Sequence, residues 1–354
     1  MINLLDCTRP ELEAFMDVEL GEPGFRAAQV WQWIWQKSET SFAAMTDVSR
    51  ATREKLSGRA RISLPEIAAE QTAADGTRKL LLRLEDGETV ETVLIPGEER
   101  GRQIRLTQCL SCQVGCAMGC AFCATGAMGF VRNMTAGEIA GQVLAAKKAI
   151  GDTRRDRPMI RNVVFMGMGE PLLNLKAVLR ALTVLNQKQG LNFSPRRVTV
   201  STCGLPRGLR ELGESGLAFL AVSLHAPDQE LRARLMPGAA RWPLDDLVAA
   251  LAGYPLKTRE RITLEYLLLG GVNDSPSQAG ELARIVGRIR AKLNLIAYNP
   301  PGVGPAPYRA PTEEALAAFQ KILWGKRITA ILRKSKGVDI RAACGQLRAG
   351  NCGL

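Results

Sequence analysis

The sequence predicts an α/β protein: a partial (β/α)6 barrel with an N-terminal helical accessory domain and a small antiparallel β extension. Three observations carry this. From about residue 103, continuous apolar runs of strand length alternate with helical stretches, the pattern of a parallel sheet buried on both faces. Six such runs are visible, fewer than the eight of a closed barrel. Polar residues recur where the runs end, and parallel barrels keep their chemistry at the C-terminal ends of their strands. A doubly wound sheet is the second arrangement compatible with the same pattern.

Residues 1–62 read as the helical accessory domain. The stretch FRAAQVWQWIWQ (25–36) puts Ala27, Val30, Trp31, Ile34 and Trp35 on one helical stripe, a small core, and leaves Trp33 off it, free to touch a partner. Residues 63–98 read as the antiparallel extension. Asp75-Gly76 and Asp86-Gly87 are turn dipeptides set between apolar runs, and VETVLI (90–95) is the last strand. Glu91 is a lone carboxylate there; from the residues alone it is a solvent-facing position rather than a base.

Residues 99–334 make the barrel. Its first strand is 105–109. Thr135 and Glu138 form a capping box that opens an apolar-periodic helix running to about Ile150. The later strands are 162–168 (NVVFMGM), 197–201 (RVTVS), 217–224 (LAFLAVSL), 261–269 (RITLEYLLL) and 293–297. The first of these is closed by Gly169-Glu170-Pro171, with a helix from Leu175. The strand ends carry Gly169-Glu170, Ser201, Ser223, His225 and Asn299. Each alone has a dull reading as a turn or a helix cap. Glu170 stands out, because a carboxylate can pair with an ammonium group. Residues 335–354, SKGVDIRAACGQLRAGNCGL, are a Gly- and Ala-rich tail. On sequence physics it reads as frayed, with an incidental thiol at Cys344, although small neighbours would let that sulfur approach a ligand closely. Cys352 lies two residues from the end.

Composition narrows the classes. Hydrophobic residues are 46% and charged residues 23%, an ordinary globular mix. No apolar run reaches the roughly 18–20 residues needed to cross a bilayer, and the N-terminus has no signal-peptide layout. A cytoplasmic monomer with no membrane partner is expected. Nine clustered cysteines in a chain this long fit a reducing compartment with a metal or redox site, not a disulfide scaffold. The net charge of +12, from 47 basic and 35 acidic residues, points to a polyanion, with RNA or DNA the simplest. The single histidine, His225, leaves Ser–His or Cys–His hydrolysis one place to live.

The most informative stretch is CLSCQVGCAMGCAFCATGAMGF (109–130), which holds five of the nine cysteines. Cys116, Cys120 and Cys123 have the spacing C-x3-C-x2-C. Three thiolates can hold a [4Fe–4S] cube and leave one iron open, where an electron-transfer cluster has four. An open iron can bind the amino and carboxylate groups of S-adenosylmethionine (SAM) and reduce its sulfonium to a 5′-deoxyadenosyl radical. The rival is zinc on the pairs Cys109/Cys112 and Cys120/Cys123. The seven residues between those pairs are fewer than the roughly 15–20 of a zinc ribbon, and Cys116 would have no role.

The C-x3-C-x2-C spacing, with Phe122 before its last cysteine, resembles the radical SAM signature. Together with Gly169-Glu170-Pro171, Ser223-Leu224-His225, VETVLIP and the tail motif Ala343-Cys344-Gly345-Gln346-Leu347, the chain resembles the RlmN family of radical SAM RNA methyltransferases nearly end to end. The resemblance implies a radical SAM partial barrel and methylation of adenosine C2 in 23S rRNA, and in tRNA, by way of an S-methylcysteine and a transient disulfide. It implies one [4Fe–4S] cluster on Cys116, Cys120 and Cys123. It implies a SAM site lined by Gly169, Glu170, Ser201, Ser223, Leu224, His225 and Asn299, with two SAM used per turnover and an electron donor such as flavodoxin. Cys344 would carry the methyl group, Cys109 would form the disulfide with it, and Glu91 would be the base. Cys112 departs from the family, which more often has serine there; it could compete for iron or pair with Cys109. The stretch GEERGRQIRL before Cys109 is longer than usual. The close relative Cfr, which methylates C8, shares most of these residues. A non-catalytic metal-containing RNA-binding protein and another radical SAM activase or lyase are the remaining alternatives.

Overall fold

All six apolar runs form strands, and the antiparallel extension joins them in one sheet. The computed structural model describes residues 1–99, 102–154, 158–300 and 308–348; Cys352 lies outside them. Ten strands follow one another across this sheet in chain order: β1 (Glu66–Thr72), β2 (Arg78–Arg83), β3 (Thr89–Glu99), β4 (Arg102–Cys109), β5 (Ile160–Phe165), β6 (Val198–Thr202), β7 (Phe219–Ser223), β8 (Ile262–Leu268), β9 (Ala291–Ala297) and β10 (Ala330–Arg333). Strands β1 to β4 pair antiparallel, and β4 to β10 pair parallel. Strand β4 is therefore shared: its last residue, Cys109, is opposite Val93 on one side and Val164 on the other. Among the described residues neither β1 nor β10 has a second neighbour, so the sheet they form is open.

Strand β10 is a seventh parallel strand that the apolar runs did not announce. Its sequence is AILR, and three of its four residues are exposed, so it presents no continuous apolar stretch. The six expected strands are the opposite case. Val198, Val200, Leu220, Ala221, Val222, Leu293 and Leu295 are all buried, because a central parallel strand is covered on both faces.

Helices fill every connection between the parallel strands, two of them after β7: α4 (Ala136–Ala149), α5 (Leu175–Asn186), α6 (Pro206–Ser215), α7 (Gln229–Leu235), α8 (Leu244–Ala252), α9 (Pro276–Val286) and α10 (Glu313–Gly325). They follow three N-terminal helices, α1 (Arg9–Ala14), α2 (Gly24–Trp35) and α3 (Arg50–Arg59). Helix α4 begins at its expected capping box: Glu138 N donates to Thr135 Oγ1 at 3.1 Å, and Thr135 N donates to Glu138 Oε2 at 2.8 Å. Helix α2 buries the expected stripe of Ala27, Val30, Trp31, Ile34 and Trp35. Trp33 is held within the N-terminal segment: its Nε1 donates to Asp47 Oδ1 at 2.5 Å, and Lys37 Nζ sits 3.1 Å from its ring centre.

The N-terminal segment packs directly on the barrel helices. Arg180 of α5 grips Glu11 with both terminal nitrogens, at 2.5 and 2.7 Å, and donates to Asp6 O at 2.7 Å. Gly137 N donates to Asp6 Oδ1 at 2.7 Å, and a Cβ at Gly137 would lie 2.8 Å from Leu5 atoms, so glycine is what permits the approach. Among the described residues no helix is long and apolar enough to cross a membrane.

Candidate active site

The C-terminal ends of the parallel strands surround a cavity that is open at its mouth. Strand β5 and the turn after it bring Phe165, Gly169 and Glu170; β6 brings Ser201; β7 and the segment after it bring Ser223 and His225; β8 brings Glu265. The loop that carries Cys116, Cys120 and Cys123 closes one side, and Cys344 of the tail closes another.

The cysteine loop is fixed by backbone bonds rather than by its own regular structure. Cys116 N donates to Gly129 O at 2.7 Å, Ala121 N to Leu235 O at 3.0 Å, and Gly238 N to Met118 O at 3.0 Å. Its approach from β4 is held by Gln142 of α4, which accepts from Ser111 N at 3.0 Å and donates back to Ser111 O at 2.7 Å. Asn174 Nδ2 bonds both Cys112 O and Met134 O at 2.8 Å. Burial pushes the Cys116 thiol up to about 12, and the neighbouring Cys120 and Cys123 add to the rise. Cys116, Cys120 and Cys123 line the cavity together, whereas Cys109 and Cys112 of the four-cysteine zinc set are not among its lining residues. Cys109 and Cys112 are both buried.

Glu170 is the most completely positioned polar group. Its Oε1 accepts from Thr202 Oγ1 at 2.5 Å and Leu172 N at 2.9 Å, its Oε2 accepts from Cys203 N at 2.7 Å, and its own N donates to Gln113 Oε1 at 2.8 Å. Burial still raises its pKa against these bonds. Gly169 before it has φ +102, and a Cβ there would sit 2.6 Å from the Gln113 side chain. His225 is in the left-handed region at φ 54, and its Nδ1 accepts from Leu267 N at 3.0 Å. The neutral ring therefore carries its proton on Nε2. Phe122 meets that ring edge-on at 5.0 Å. Burial lowers the His225 pKa to about 3. Leu224 is buried, its N bonded to Glu265 O at 3.0 Å. Asn299, just after β9, is buried and is not among the residues that line the cavity; its Nδ2 has no partner among the described residues. Three cysteines and a buried carboxylate on one cavity fit a three-thiolate cluster with SAM beside it.

The tail is docked, not frayed. Ala124 N donates to Gly345 O at 2.7 Å and Thr125 Oγ1 to Leu347 O at 2.6 Å, which ties the tail to the helical turn right after Cys123. Gln346 Nε2 donates to Pro300 O at 2.7 Å, and its Oε1 accepts from Ala343 N at 3.1 Å. Cys344 is exposed and lines the cavity; the surrounding protein raises its thiol to about 11, with Glu265 adding to the rise. Cys109 is close enough to feel Cys344: burial raises its pKa most and the Cys344 charge adds to it. The two thiols, 235 positions apart in the chain, are electrostatic neighbours.

Glu91 is not solvent-facing. It is 2% exposed, pairs with Lys79 Nζ at 2.9 Å and accepts from Arg348 N at 2.8 Å. Read as a lone carboxylate it looked exposed, because its partners come from another strand and from the tail. The sequence reading also missed Cys203 and Glu265. Cys203 lines the cavity, and the neighbouring Cys120 raises its thiol pKa; Glu265 lines it from within β8 and accepts from Asn294 Nδ2 at 2.9 Å. An acid inside the apolar run RITLEYLLL was a signal that could have been used.

Comparison with known proteins gives the same picture. Residues 2–62 match the family model for the ribosomal RNA large subunit methyltransferase N-terminal domain, and residues 110–282 match the radical SAM superfamily. The dual-specificity RNA methyltransferase RlmN of Nitratidesulfovibrio vulgaris (strain DSM 19637 / Miyazaki F) is 66% identical over 99% of this chain and 95% of its own length. That of Oleidesulfovibrio alaskensis is 61% identical over 100% and 98%. The crystal structure of a radical SAM methyltransferase from Sphaerobacter thermophilus superposes with a TM-score of 0.90 at 42% identity, covering 99% of this chain and 100% of that one. Radical SAM chemistry uses SAM and a [4Fe–4S] cluster, and the donor set described above fits both. The chain belongs to the RlmN family of radical SAM RNA methyltransferases.

Proposed function

We propose that this enzyme methylates C2 of an adenosine in 23S rRNA and in tRNA, with Cys344 as the methyl carrier. The observation that supports this most is the seating of Cys344 on the same cavity as Cys116, Cys120 and Cys123, with buried Cys109 near enough for the Cys344 charge to act on it. Adenine C2 lies between two ring nitrogens and is electron-poor. It resists direct attack by an electrophilic methyl donor and suits addition of a carbon radical.

In this reading Cys116, Cys120 and Cys123 hold one cluster per chain. Gly169, Glu170, Ser201, Ser223, Leu224, His225 and Asn299 form the SAM site, and two SAM are used per turnover. When bound, these cofactors supply a methyl group and the means to abstract hydrogen from it. The protein supplies placement. The Cys344 sulfur bears the methyl group at the cavity mouth and links to the base. Glu91 takes the C2 proton. Cys109 then gives up its proton as its sulfur attacks Cys344; the sulfur–methylene bond breaks, the carbon takes up a proton to become the C2 methyl group, one electron leaves the adduct to the acceptor that the iron–sulfur group would supply, and a disulfide of about 2 Å remains. A reducing cytoplasm resets the pair, and a one-electron donor such as flavodoxin feeds the cluster. The base must be unpaired or flipped to reach this site. Residues 1–62 serve as an RNA-binding accessory domain, 63–98 as a β extension that presents Glu91, 99–334 as the catalytic barrel and 335–354 as the carrier tail of a monomeric enzyme. Mass spectrometry of nucleosides from reacted rRNA tests the regiochemistry. 2-Methyladenosine is expected, and 8-methyladenosine would overturn it.

A further inference from the structure

Lys79 is a buried cation that serves two segments at once. Its Nζ lies 2.9 Å from Glu91 Oε1 and donates to Arg341 O at 3.4 Å. The other Glu91 oxygen accepts from Arg348 N at 2.8 Å. Lys79 and Glu91 are diagonal neighbours on β2 and β3, because the register sets Leu81 opposite Glu91 and Val93 opposite Lys79. One buried ion pair thus grips the tail three residues before Cys344 and four residues after it. The tail's start is held separately: Gly337 N donates to Asp75 Oδ2 at 3.0 Å, and Ala74 N donates to Asp339 Oδ2 at 2.9 Å.

We propose that Lys79 and Glu91 form a charge-dependent latch: the Glu91 carboxylate holds the tail with Cys344 at the cavity, and a proton arriving on Glu91 lets the tail go. Lys79 is then a positioning residue. The inference rests on the reading above in which Glu91 takes the adenine C2 proton. In that step the proton moves from carbon to a carboxylate oxygen, and the C–H electron pair stays with the ring. A neutral carboxyl accepts the Arg348 N–H about half as strongly as a carboxylate does. It also leaves the Lys79 ammonium buried with only a carbonyl to face, which is costly. The chemical event that completes the base would therefore loosen the segment that held it. The charged group facing Glu91 is Lys79 from β2; Arg348 of the tail faces it with its backbone N–H, the segment after β5 brings the uncharged Met168 sulfur to Glu91 N, and the loop after β4 brings the Ser111 hydroxyl to Glu91 O. Asp75 and Asp339 act on the tail's start and do not touch the pair.

Hydrogen exchange on the reconstituted full-length holoenzyme tests the latch. Lys79→Met is expected to raise exchange of the 341–348 amides by about tenfold or more, the weight of a charge-assisted bond. Arg348→Pro deletes the donated N–H, leaves the ion pair alone, and is expected to do the same. Exchange in β6 and β7 stays unchanged in both. In the wild type, tail protection corrected for intrinsic rates steps down as pH falls through the range where Glu91 protonates; in Glu91→Gln it is low and flat. Unchanged tail protection in Arg348→Pro or in a folded Lys79→Met, or a pH-independent wild type, overturns the proposal. If Lys79→Met loses protection in β6 and β7 as well, Arg348→Pro and the pH step decide. A Glu91→Gln variant with a loose tail that still methylates RNA keeps the latch and removes Glu91 as the base. An inactive one with a fully protected tail removes the latch and keeps the base.

Discussion

At the residue scale, the site is governed by what burial does to single groups. His225 accepts a backbone N–H on Nδ1 and is closed in by Phe122, so it stays neutral. Its pKa falls from the ordinary 6.5 to about 3. The unfolded chain then binds a proton that the folded chain refuses between those values. Stability from this group is present above pH 6.5 and is lost as pH drops toward 3, on the order of 4 kcal/mol in all. As the sole histidine, it can be read without ambiguity: NMR should show its ring signals unmoved from pH 8 to 5, and a midpoint near 6.5 would contradict the packing. Cys112 gives a second residue-level prediction. It is buried and off the cavity wall, so Cys112→Ser should leave the iron content of the reconstituted protein unchanged while costing about 1–3 kcal/mol in thermal unfolding for a poorly paired buried hydroxyl. Loss of iron would place Cys112 among the cluster ligands.

At the element scale, the tail is the part whose placement matters most and whose sequence said least. Residues 335–348 offer few apolar side chains, and nothing in their spacing announces that Gln346 will bond Pro300 O while Gly345 and Leu347 receive Ala124 N and Thr125 Oγ1. The long-range partners of a polar loop leave no periodic trace. The resemblance to the RlmN family singled out Cys344; the residues alone did not. Glu91 shows the same limit on a strand, since its partner Lys79 is fixed only once the β2–β3 register is known. By contrast, helix α4 was legible from Thr135 and Glu138, because a capping box is local chemistry. Removing the tail's main side-chain clamp should separate seating from folding. Gln346→Ala is expected to slow methyl transfer to RNA while SAM cleavage continues uncoupled, at a local cost of about 1–3 kcal/mol. Full coupling in that variant would mean the clamp is dispensable.

At the scale of the whole molecule, one ten-stranded open sheet carries both the cavity and the extension that receives the tail. The six long strands were legible because burial on both faces demands unbroken apolar runs. The edge strand β10 was not, since an edge is half exposed. The continuity of β1–β4 with the barrel was also hidden, because it depends on Cys109 having neighbours on both sides. The net charge of +12 belongs to this scale too. RNA affinity should fall linearly with the logarithm of salt concentration, measured by filter binding; a flat dependence would argue against phosphate-led binding. The account as a whole turns on two sulfurs from opposite ends of the barrel sequence meeting at one cavity. The measurement that reaches this most directly is mass spectrometry of Cys109→Ala after turnover with RNA. RNA covalently linked through Cys344 is the predicted result; released methylated RNA and an unmodified Cys344 would contradict it.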